Sequence, residues 1–420
     1  MVALWPDPPY AIAMNETRPE TRADAEALDR DDPLADRRAL FALPEGVIYL
    51  VGHSLGAPAK AALQRVSTAA GEDWARGLVG SWNAAGWIDW PKTVGGRIAP
   101  LIGAREDDVV VCDSVSVNLF KLAGAALPRA MARSIAVEED EFPTDQYIAE
   151  GLARTVGTLV RKLPAGAGRA GLSEGGVLIK SAVNYRTAAV ADIKAYEDAA
   201  YAHGGVIVWD LSHAAGVLPL ALRDAGACFA AGCTYKYLGG GPGAPAFVYV
   251  RDDVAREATN PIPGWLGHRS PFAFSPDYQP AAGVERFVSG TPPILSLAAL
   301  DGAIDAFAGI DLTVAAHKAR ALGELALARG ASMGLVPASP PPGDRGGHVS
   351  LRHEDGYAIV QALAAEGVLA DFRAPDTIRF GFAPLTLRFV DVWDAMDRLE
   401  AVLRERRWDR PEFRVRSKVT

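Results

Sequence analysis

Two stretches of this chain carry residues that could do chemistry. "GGVIVWDLSH" closes an apolar run on Asp210 and places His213 three residues later, and "GCTYKYLGGGPGAPAF" sets Lys236 between Tyr235 and Tyr237 ahead of a glycine run. A lysine at a strand end beside a rigid Gly/Pro loop can be desolvated enough to act as an amine nucleophile. An aspartate at a neighbouring strand end can hold the proton of a pyridine nitrogen, and carboxyl ends of strands are where open α/β sheets bind ligands. Read blandly, the same residues are a helix cap, a core histidine and a solvated lysine. The triple glycine decides nothing by itself, because it lacks the G-K-[ST] of a phosphate-binding loop. A third stretch competes for attention. "VIYLVGHSLGAPAK" contains Gly52-His53-Ser54-Leu55-Gly56, the G-x-S-x-G pattern of a serine-hydrolase elbow.

Other residues sharpen the first reading. "VVVCDSVSVNLFKL" runs strand, short turn, helix, and Ser114, Ser116 and the N–H groups at that helix start would suit a phosphate, or simply cap the helix. Phe142 in "EDEFPTDQY" could stack on an aromatic cofactor with Asp145 nearby, or belong to the core. Arg379 in "TIRFGFAPL" could pair bidentately with a substrate carboxylate, or lie on the surface. Nucleophilic lysine, acid for a ring nitrogen, phosphate turn and stacking ring together describe a pyridoxal phosphate site.

The elements that must position these groups follow from hydrophobic patterning. "DDVVVCDS", "SIAVEED", "GGVLIKSAV", "GGVIVWD", "ACFAAGC" and "AFVYVR" are short apolar runs separated by helical segments such as "AAVADIKAYEDAAYAHG". That alternation predicts an α/β fold with a mostly parallel sheet buried on both faces. After a long helical stretch over Ser296 to Arg329 come a proline-rich turn, strand-like "HVSLRH" and "TIRFGF", and a terminal helix ending near "ERRW", a smaller α+β domain. Residues 1–50 are polar and helix-prone at first, with Met14 available as an alternative start.

The chain has 420 residues, 49% hydrophobic and 22% charged, with a formal net charge of −8. This is ordinary globular composition, and the acidic balance argues against nucleic acid and anionic membrane partners. No apolar run reaches a transmembrane length, and the proline-broken start is not a signal peptide. Cys112, Cys228 and Cys233 show no metal-ligand spacing and read as buried thiols in a reducing compartment, so no metal is expected and the cytoplasm is.

The segments "LPEGVIYL", "SLG", "SWNAAGW", "SVNLFK", "FPTDQYIAEGL", "VNYRT", "WDLSHAAG", "GCTYKYLGGGPGAPAF", "GWLGH", "GTPPI", "GYAIVQAL", "RFGFAPL" and the closing "FRVRSKVT" occur in one order along nearly the whole chain. In these motifs the chain closely resembles the kynureninase family, fold-type I pyridoxal 5'-phosphate enzymes of the aspartate aminotransferase superfamily. The resemblance implies a large cofactor-binding domain with a mostly parallel seven-stranded sheet over 51–305 and a small C-terminal domain over 306–420. An N-terminal helical segment, 1–50, would join the small domain. It also implies a homodimer with shared active sites.

By the same resemblance Lys236 matches the lysine that carries the cofactor and Asp210 the partner of its ring nitrogen. Tyr235 matches the tyrosine credited with phosphate contact and proton transfer, and His213 the histidine of the "WDLSH" motif. Ser114 and Val115 occupy the phosphate turn, Phe142 the ring-stacking position and Asp145 its acidic neighbour. Trp265 and Thr291 match residues that reach the phosphate, Thr291 from the partner chain. Arg379 matches the grip on the substrate carboxylate, and His53 and Ser54 lie on a loop at the pocket mouth. The family pattern there is D-G-N-S-L-G, so an asparagine-to-histidine change completes the hydrolase-like pentapeptide. That elbow begins at residue 52 with no preceding hydrolase strands and no recognisable triad, so the hydrolase reading fails on context. Val115 replaces a hydroxyl residue, and Ala182 and Ala188 stand where His and Gly are common.

The implied activity is hydrolysis of the Cβ–Cγ bond of L-kynurenine or its 3-hydroxy derivative, giving an anthranilate and L-alanine. The alternatives are a related pyridoxal phosphate hydrolase or β-lyase for another γ-keto or β-substituted amino acid, and a pyridoxal phosphate-binding protein without catalysis.

Overall fold

The computed structural model describes residues 18–417; Met14 and the last three residues, Lys418-Val419-Thr420, lie outside the described residues. In chain order the first strands are β1 (Ile48–Tyr49), β2 (Val109–Val111), β3 (Ser134–Glu138), β4 (Leu159–Leu163), β5 (Val177–Ser181) and β6 (Val206–Asp210). They are followed by β7 (Phe229–Gly232), β8 (Phe247–Val250), β9 (Val336–Pro337) and β10 (His348–Arg352), then by β11 (Val368–Leu369), β12 (Asp371–Arg373) and β13 (Thr377–Gly381).

Seven strands build the main sheet in the order β2-β8-β7-β6-β5-β3-β4. Only β8 runs against its neighbours β7 and β2. The central strands are buried except for partly buried Val206 at the start of β6, which is what a sheet covered on both faces demands of its sequence. Within β6, Ile207 and Trp209 enter one core while Val208 enters the other, the period of two of a pleated strand. Each apolar run noted in the sequence occupies a strand. The edge strand β4, "LVRKL", is an addition: its charged residues and exposed Leu159 hide it from an apolar-run criterion.

The connecting helices carry their own stop signals. Pro143 opens the helix Pro143–Val156 and left-handed Gly157 closes it. Asp192 caps Ile193–His203 by accepting from the Ala195 N–H at 3.0 Å, and Gly204 ends it. The helical stretch expected over 296–329 is two helices, Ile294–Ile304 and Leu312–Ser332. A turn through Gly309 (φ +70°) interrupts them, and Asp311 caps the second through Thr313 N at 2.8 Å.

A four-stranded antiparallel sheet, β12-β13-β10-β9, lies in the C-terminal part of the chain. The N-terminal helix Arg22–Arg30 packs on the same part. Arg22 pairs with Asp394 at 2.7 Å, and the Asp29 carboxylate accepts from the N–H groups of Phe389 and Val390 at 2.6 and 3.0 Å. β1 adds in parallel to β11, with Ile48 opposite Val368. This two-stranded sheet is separate from the four-stranded one, and the chain leaves β1 directly into the G-H-S-L-G turn.

Candidate active site

Asp210 is the last residue of β6, level with Ser181 at the end of β5 and Ala231 in β7. Beyond β7 the chain forms the loop that bears Tyr235 and Lys236 at the same sheet edge. The fully buried Thr234 hydroxyl donates to Pro245 O at 2.7 Å, while Gly240 N and Gly239 N donate to Thr234 O and Lys236 O at 2.9 and 2.8 Å. Lys236 is therefore delivered by a loop closed on itself. Its Nζ lies 5.9 Å from the centre of the Tyr235 ring. The buried Asp210 carboxylate accepts from Ser212 N at 2.8 Å and Ser212 Oγ at 2.5 Å. Burial raises its pKa, opposed by the Lys236 charge and the Ser212 hydrogen bonds.

A second carboxylate stands behind the first. Asp145, in the first turn of Pro143–Val156, is almost wholly buried, with Ser181 Oγ 3.4 Å from its Oδ2 and no partner for Oδ1. Burial, the Asp210 charge and Glu141 lift Asp145 well above the ordinary carboxylate range. Two carboxyl groups so placed divide their roles, one holding charge and one holding a proton. Asp210, backed by Lys236 and Ser212, is the one placed to hold charge. His213, buried beside them, has an unpartnered Nδ1 and is pushed well below its usual pKa by burial and by the nearby Lys236.

Ser114 caps the helix Val115–Ala126, accepting from Val117 N at 3.4 Å. This leaves the first N–H groups of the helix, including that of Val115, at the edge reached by β2. Phe142 immediately precedes Pro143–Val156; it is 41% exposed and packs edge-on against Tyr185, ring centroids 5.2 Å apart. An unpartnered buried carboxyl oxygen, a strand-end acid and lysine, open helix N–H groups and a ring with a free face fit pyridoxal phosphate.

Arg379 comes from β13 and is 1% exposed. Its Nη2 pairs with the buried Asp371 of β12 and its Nη1 donates to Tyr185 O, leaving Nε without a partner. Burial lowers its pKa to about 10, opposed chiefly by Asp371, so it stays cationic at neutral pH. Beside it three imidazoles gather. His53 stacks on His348 with centroids 5.1 Å apart and planes 13° off parallel, and His213 lies 5.3 Å from His348. His53 is wholly buried, with its Nε2 3.5 Å from Asp371 Oδ2.

Burial first, and then Arg379, pushes His53 down to about 3, with Asp371 pulling the other way and Arg373 adding to the push. A histidine neutral in the fold but protonated in the unfolded chain gives stability that is complete above pH ~6.5 and is lost as pH falls towards the folded value. His53→Asn removes one such proton. From pH 6 to pH 4.5 the variant should lose roughly 2 kcal/mol less stability than the parent, at about 1.4 kcal/mol per proton per pH unit. Urea unfolding across that range measures the slope; parallel curves for the two proteins would show that His53 is protonated in the fold.

The G-H-S-L-G pentapeptide is a turn held by Ser54 N and Leu55 N donating to Val51 O at 2.8 and 3.0 Å. Val51 bridges in parallel to Gly381, so the turn belongs to the edge of β13 and not to a strand-to-helix elbow. Gly56 N donates to Tyr235 O at 2.7 Å, and a Cβ on Gly56 would fall 2.2 Å from Lys236 O. The second glycine of the pattern exists for this backbone-to-backbone approach. Gly56→Ala must displace the lysine loop, at a cost of about 1–3 kcal/mol by analogy with overpacked cores. It should show a lower melting temperature and weakened cofactor binding, whereas Ser54→Ala should retain both. Equal behaviour of the two variants in a cofactor titration would refute this assignment.

Trp265 is 39% exposed and packs edge-on against Phe272 with centroids 5.7 Å apart, within an exposed aromatic group that includes Phe274. Thr291 is also exposed, three residues before the helix Ile294–Ile304. Several residues at the site are not singled out from sequence: Tyr185 and Ser212 lie inside the motifs "VNYRT" and "WDLSHAAG" without an assigned role, and His348, Asp371 and Ser181 lie outside the family motifs. Their one trace is position, since Ser181 ends a strand as Asp210 does, and Asp371 precedes the strand of Arg379.

The family model for the kynureninase C-terminal domain matches residues 317–399. The kynureninase of Burkholderia mallei (strain SAVP1) is 44% identical over 416 residues, 96% of this chain and 100% of its own length. That of Pseudomonas fluorescens is 44% identical over 414 residues, 95% of this chain and 100% of its own. Solved structures similar in fold include the cysteine desulfurase CsdA of Escherichia coli (TM-score 0.73, 19% identity, 89% of this chain and 98% of that one). The cystine C-S lyase C-DES in complex with cysteine persulfide is another (TM-score 0.75, 18% identity, 85% and 98%). Identity of this extent, with no part of the curated relatives left uncovered, places the chain in the kynureninase family.

Proposed function

We propose that this protein hydrolyses the Cβ–Cγ bond of L-kynurenine or 3-hydroxykynurenine, consuming one water and releasing anthranilate or 3-hydroxyanthranilate with L-alanine. Its cofactor is pyridoxal 5'-phosphate. The observation that carries the reading is the placing of Lys236 beside strand-end Asp210 on one side and, on the other, of Arg379, with His213 between the two cations and feeling both. A lysine, an acid for a ring nitrogen and a buried cation for a carboxylate are what an α-amino acid bound to that cofactor requires.

When bound, the cofactor supplies a protonated pyridine ring that accepts the electron pair released at the substrate. Asp210 keeps the proton on the ring nitrogen, and Ser212 keeps Asp210 ionised and oriented. Lys236 carries the proton from the substrate Cα, within a loop too tightly closed to let its backbone drift. Tyr235, whose own pKa is raised by burial and by neighbouring Cys233, remains protonated at neutral pH and can donate to the substrate Cβ, which keeps the electron pair of the broken bond and becomes the alanine methyl. Arg379, fixed by Asp371 and Tyr185 O, orients the α-carboxylate. The stacked His53 and His348 would line the pocket beside it, Ser54 would lie at the mouth, and Phe142 would stack on the cofactor ring. Ser114 and Val115 would hold the phosphate through the helix start, with buried Asp145 beside Asp210 as a second acid near the cofactor.

We also propose a homodimer, working in the cytoplasm, in which Trp265 reaches the phosphate and exposed Thr291 reaches it from the partner chain. The division into 1–50, 51–305 and 306–420 accompanies that reading. No helix among the described residues is long and apolar enough to cross a membrane. The test is anthranilate fluorescence on adding L-kynurenine to the purified holoprotein, with L-alanine released one-to-one. Absence of fluorescence together with pyruvate release from a β-substituted alanine would favour a β-lyase instead.

A further inference from the structure

Lys121 is wholly buried in the second turn of the helix Val115–Ala126, an expensive place for an ammonium unless it is paired. Side chains on a helix lean towards its N-terminus, and this one reaches back past the cap. Its Nζ pairs with the Asp113 carboxylate and donates to Phe287 O at 2.7 Å. Asp113 directly precedes Ser114 and has a left-handed backbone, φ +48°, uncommon for a residue with a side chain. It is latched on every side: its O accepts from Ala246 N at 2.8 Å, and the preceding carbonyl of Cys112 accepts from buried Asn118 Nδ2 at 2.7 Å. That conformation turns the chain so that the N–H groups from Ser114 onward open the helix.

Phe287 begins the other wall. It ends the turn Gly283–Phe287, and the chain runs on through Ser289 to Thr291. Ser289 Oγ donates to Ile262 O at 2.7 Å, and a Cβ on Gly264 would lie 1.7 Å from Ser289 O, so the Trp265 loop is pressed on this segment. One buried cation thus ties the helix-start turn to the strand of chain that leads to Trp265 and Thr291.

We propose that Lys121 is a positioning residue for the phosphate of the cofactor. It cancels the Asp113 carboxylate, which would otherwise repel a dianion at the turn, and locks the 113–115 turn against the 287–291 segment. This rests on the assignment of Ser114 and Val115 to the phosphate. A carboxylate beside a dianion's seat is unfavourable electrostatically, and the pairing with Lys121 lets the side chain serve the backbone without that penalty.

The experiment compares binding of pyridoxal phosphate and of pyridoxal to the cofactor-stripped full chain. Lys121→Met should weaken pyridoxal phosphate at least tenfold and pyridoxal less than threefold. The double variant Lys121→Met with Asp113→Asn, which removes both charges together and leaves no buried ion unpaired, should recover most of the loss seen in Lys121→Met. A merely structural lysine would weaken both ligands equally and would not be rescued by removing the Asp113 charge; either result overturns the proposal. If Lys121→Met does not fold, the double variant still decides, because a loss of pyridoxal phosphate beyond tenfold with pyridoxal unchanged contradicts the proposed charge balance. A parent protein that does not prefer pyridoxal phosphate over pyridoxal removes the phosphate assignment itself, and the proposal with it.

Discussion

Lys236→Ala should abolish borohydride-fixable cofactor and reduce turnover by at least the roughly 10²–10⁴-fold that a positioned proton carrier contributes, with loss of the covalent attachment adding to it. The expectation follows from the loop geometry. Tyr235 O and Lys236 O are engaged by Gly56 N and Gly239 N, so the backbone stays in place when the side chain is removed. The variant should keep its fold and still bind cofactor non-covalently through the phosphate turn. Peptide mapping after borohydride reduction is the check: label recovered on another lysine, or turnover within tenfold of the parent, would show that Lys236 is not the reactive amine.

Asp210→Asn should retain the two contacts with Ser212 in altered form and lose the charge. Turnover should fall by about 10²–10³-fold, the scale seen when one preorganised electrostatic partner is removed from a reacting centre. The amide cannot hold a proton on the ring nitrogen, so the electron sink is lost while the seat remains. Asp145 does not substitute, because burial and Glu141 keep its own pKa high. Removing the Asp210 charge should lower that pKa, since Asp210 is the second cause of its elevation. A double variant, Asp210→Asn with Asp145→Asn, separates the two acids. If the single Asp210 variant turns over normally and the double does not, Asp145 holds the ring.

Both predictions were accessible from short motifs, and the reason is local. A strand buried on both faces must be apolar throughout, so a run such as "VIVWD" announces its own end by the first acid, and the acid therefore sits at a sheet edge. The glycine-rich loop after Tyr237 likewise reports a closed backbone. The same rule explains the strand that patterning misses, since β4 lies at the sheet edge and need not be apolar. The break between Ile294–Ile304 and Leu312–Ser332 is carried by one left-handed glycine inside an otherwise helical composition, too weak a signal to divide them.

By itself, the sequence determined the alternation of the central strands with helices, the lysine and aspartate at adjoining strand ends, and the turn that opens the helix Val115–Ala126. Tertiary structure alone decided what surrounds them. Arg379 reads in sequence as a free guanidinium, yet in the fold Asp371 and Tyr185 O hold it, in a shell of His53, His213 and His348. The G-H-S-L-G turn looks like a nucleophile's seat and serves as a spacer against the lysine loop. Periodicity encodes how much of a segment is buried, but not which distant group is buried against it. Ion pairs, stacked rings and backbone approaches depend on register between strands far apart in the chain, and that register exists only once the two sheets have packed.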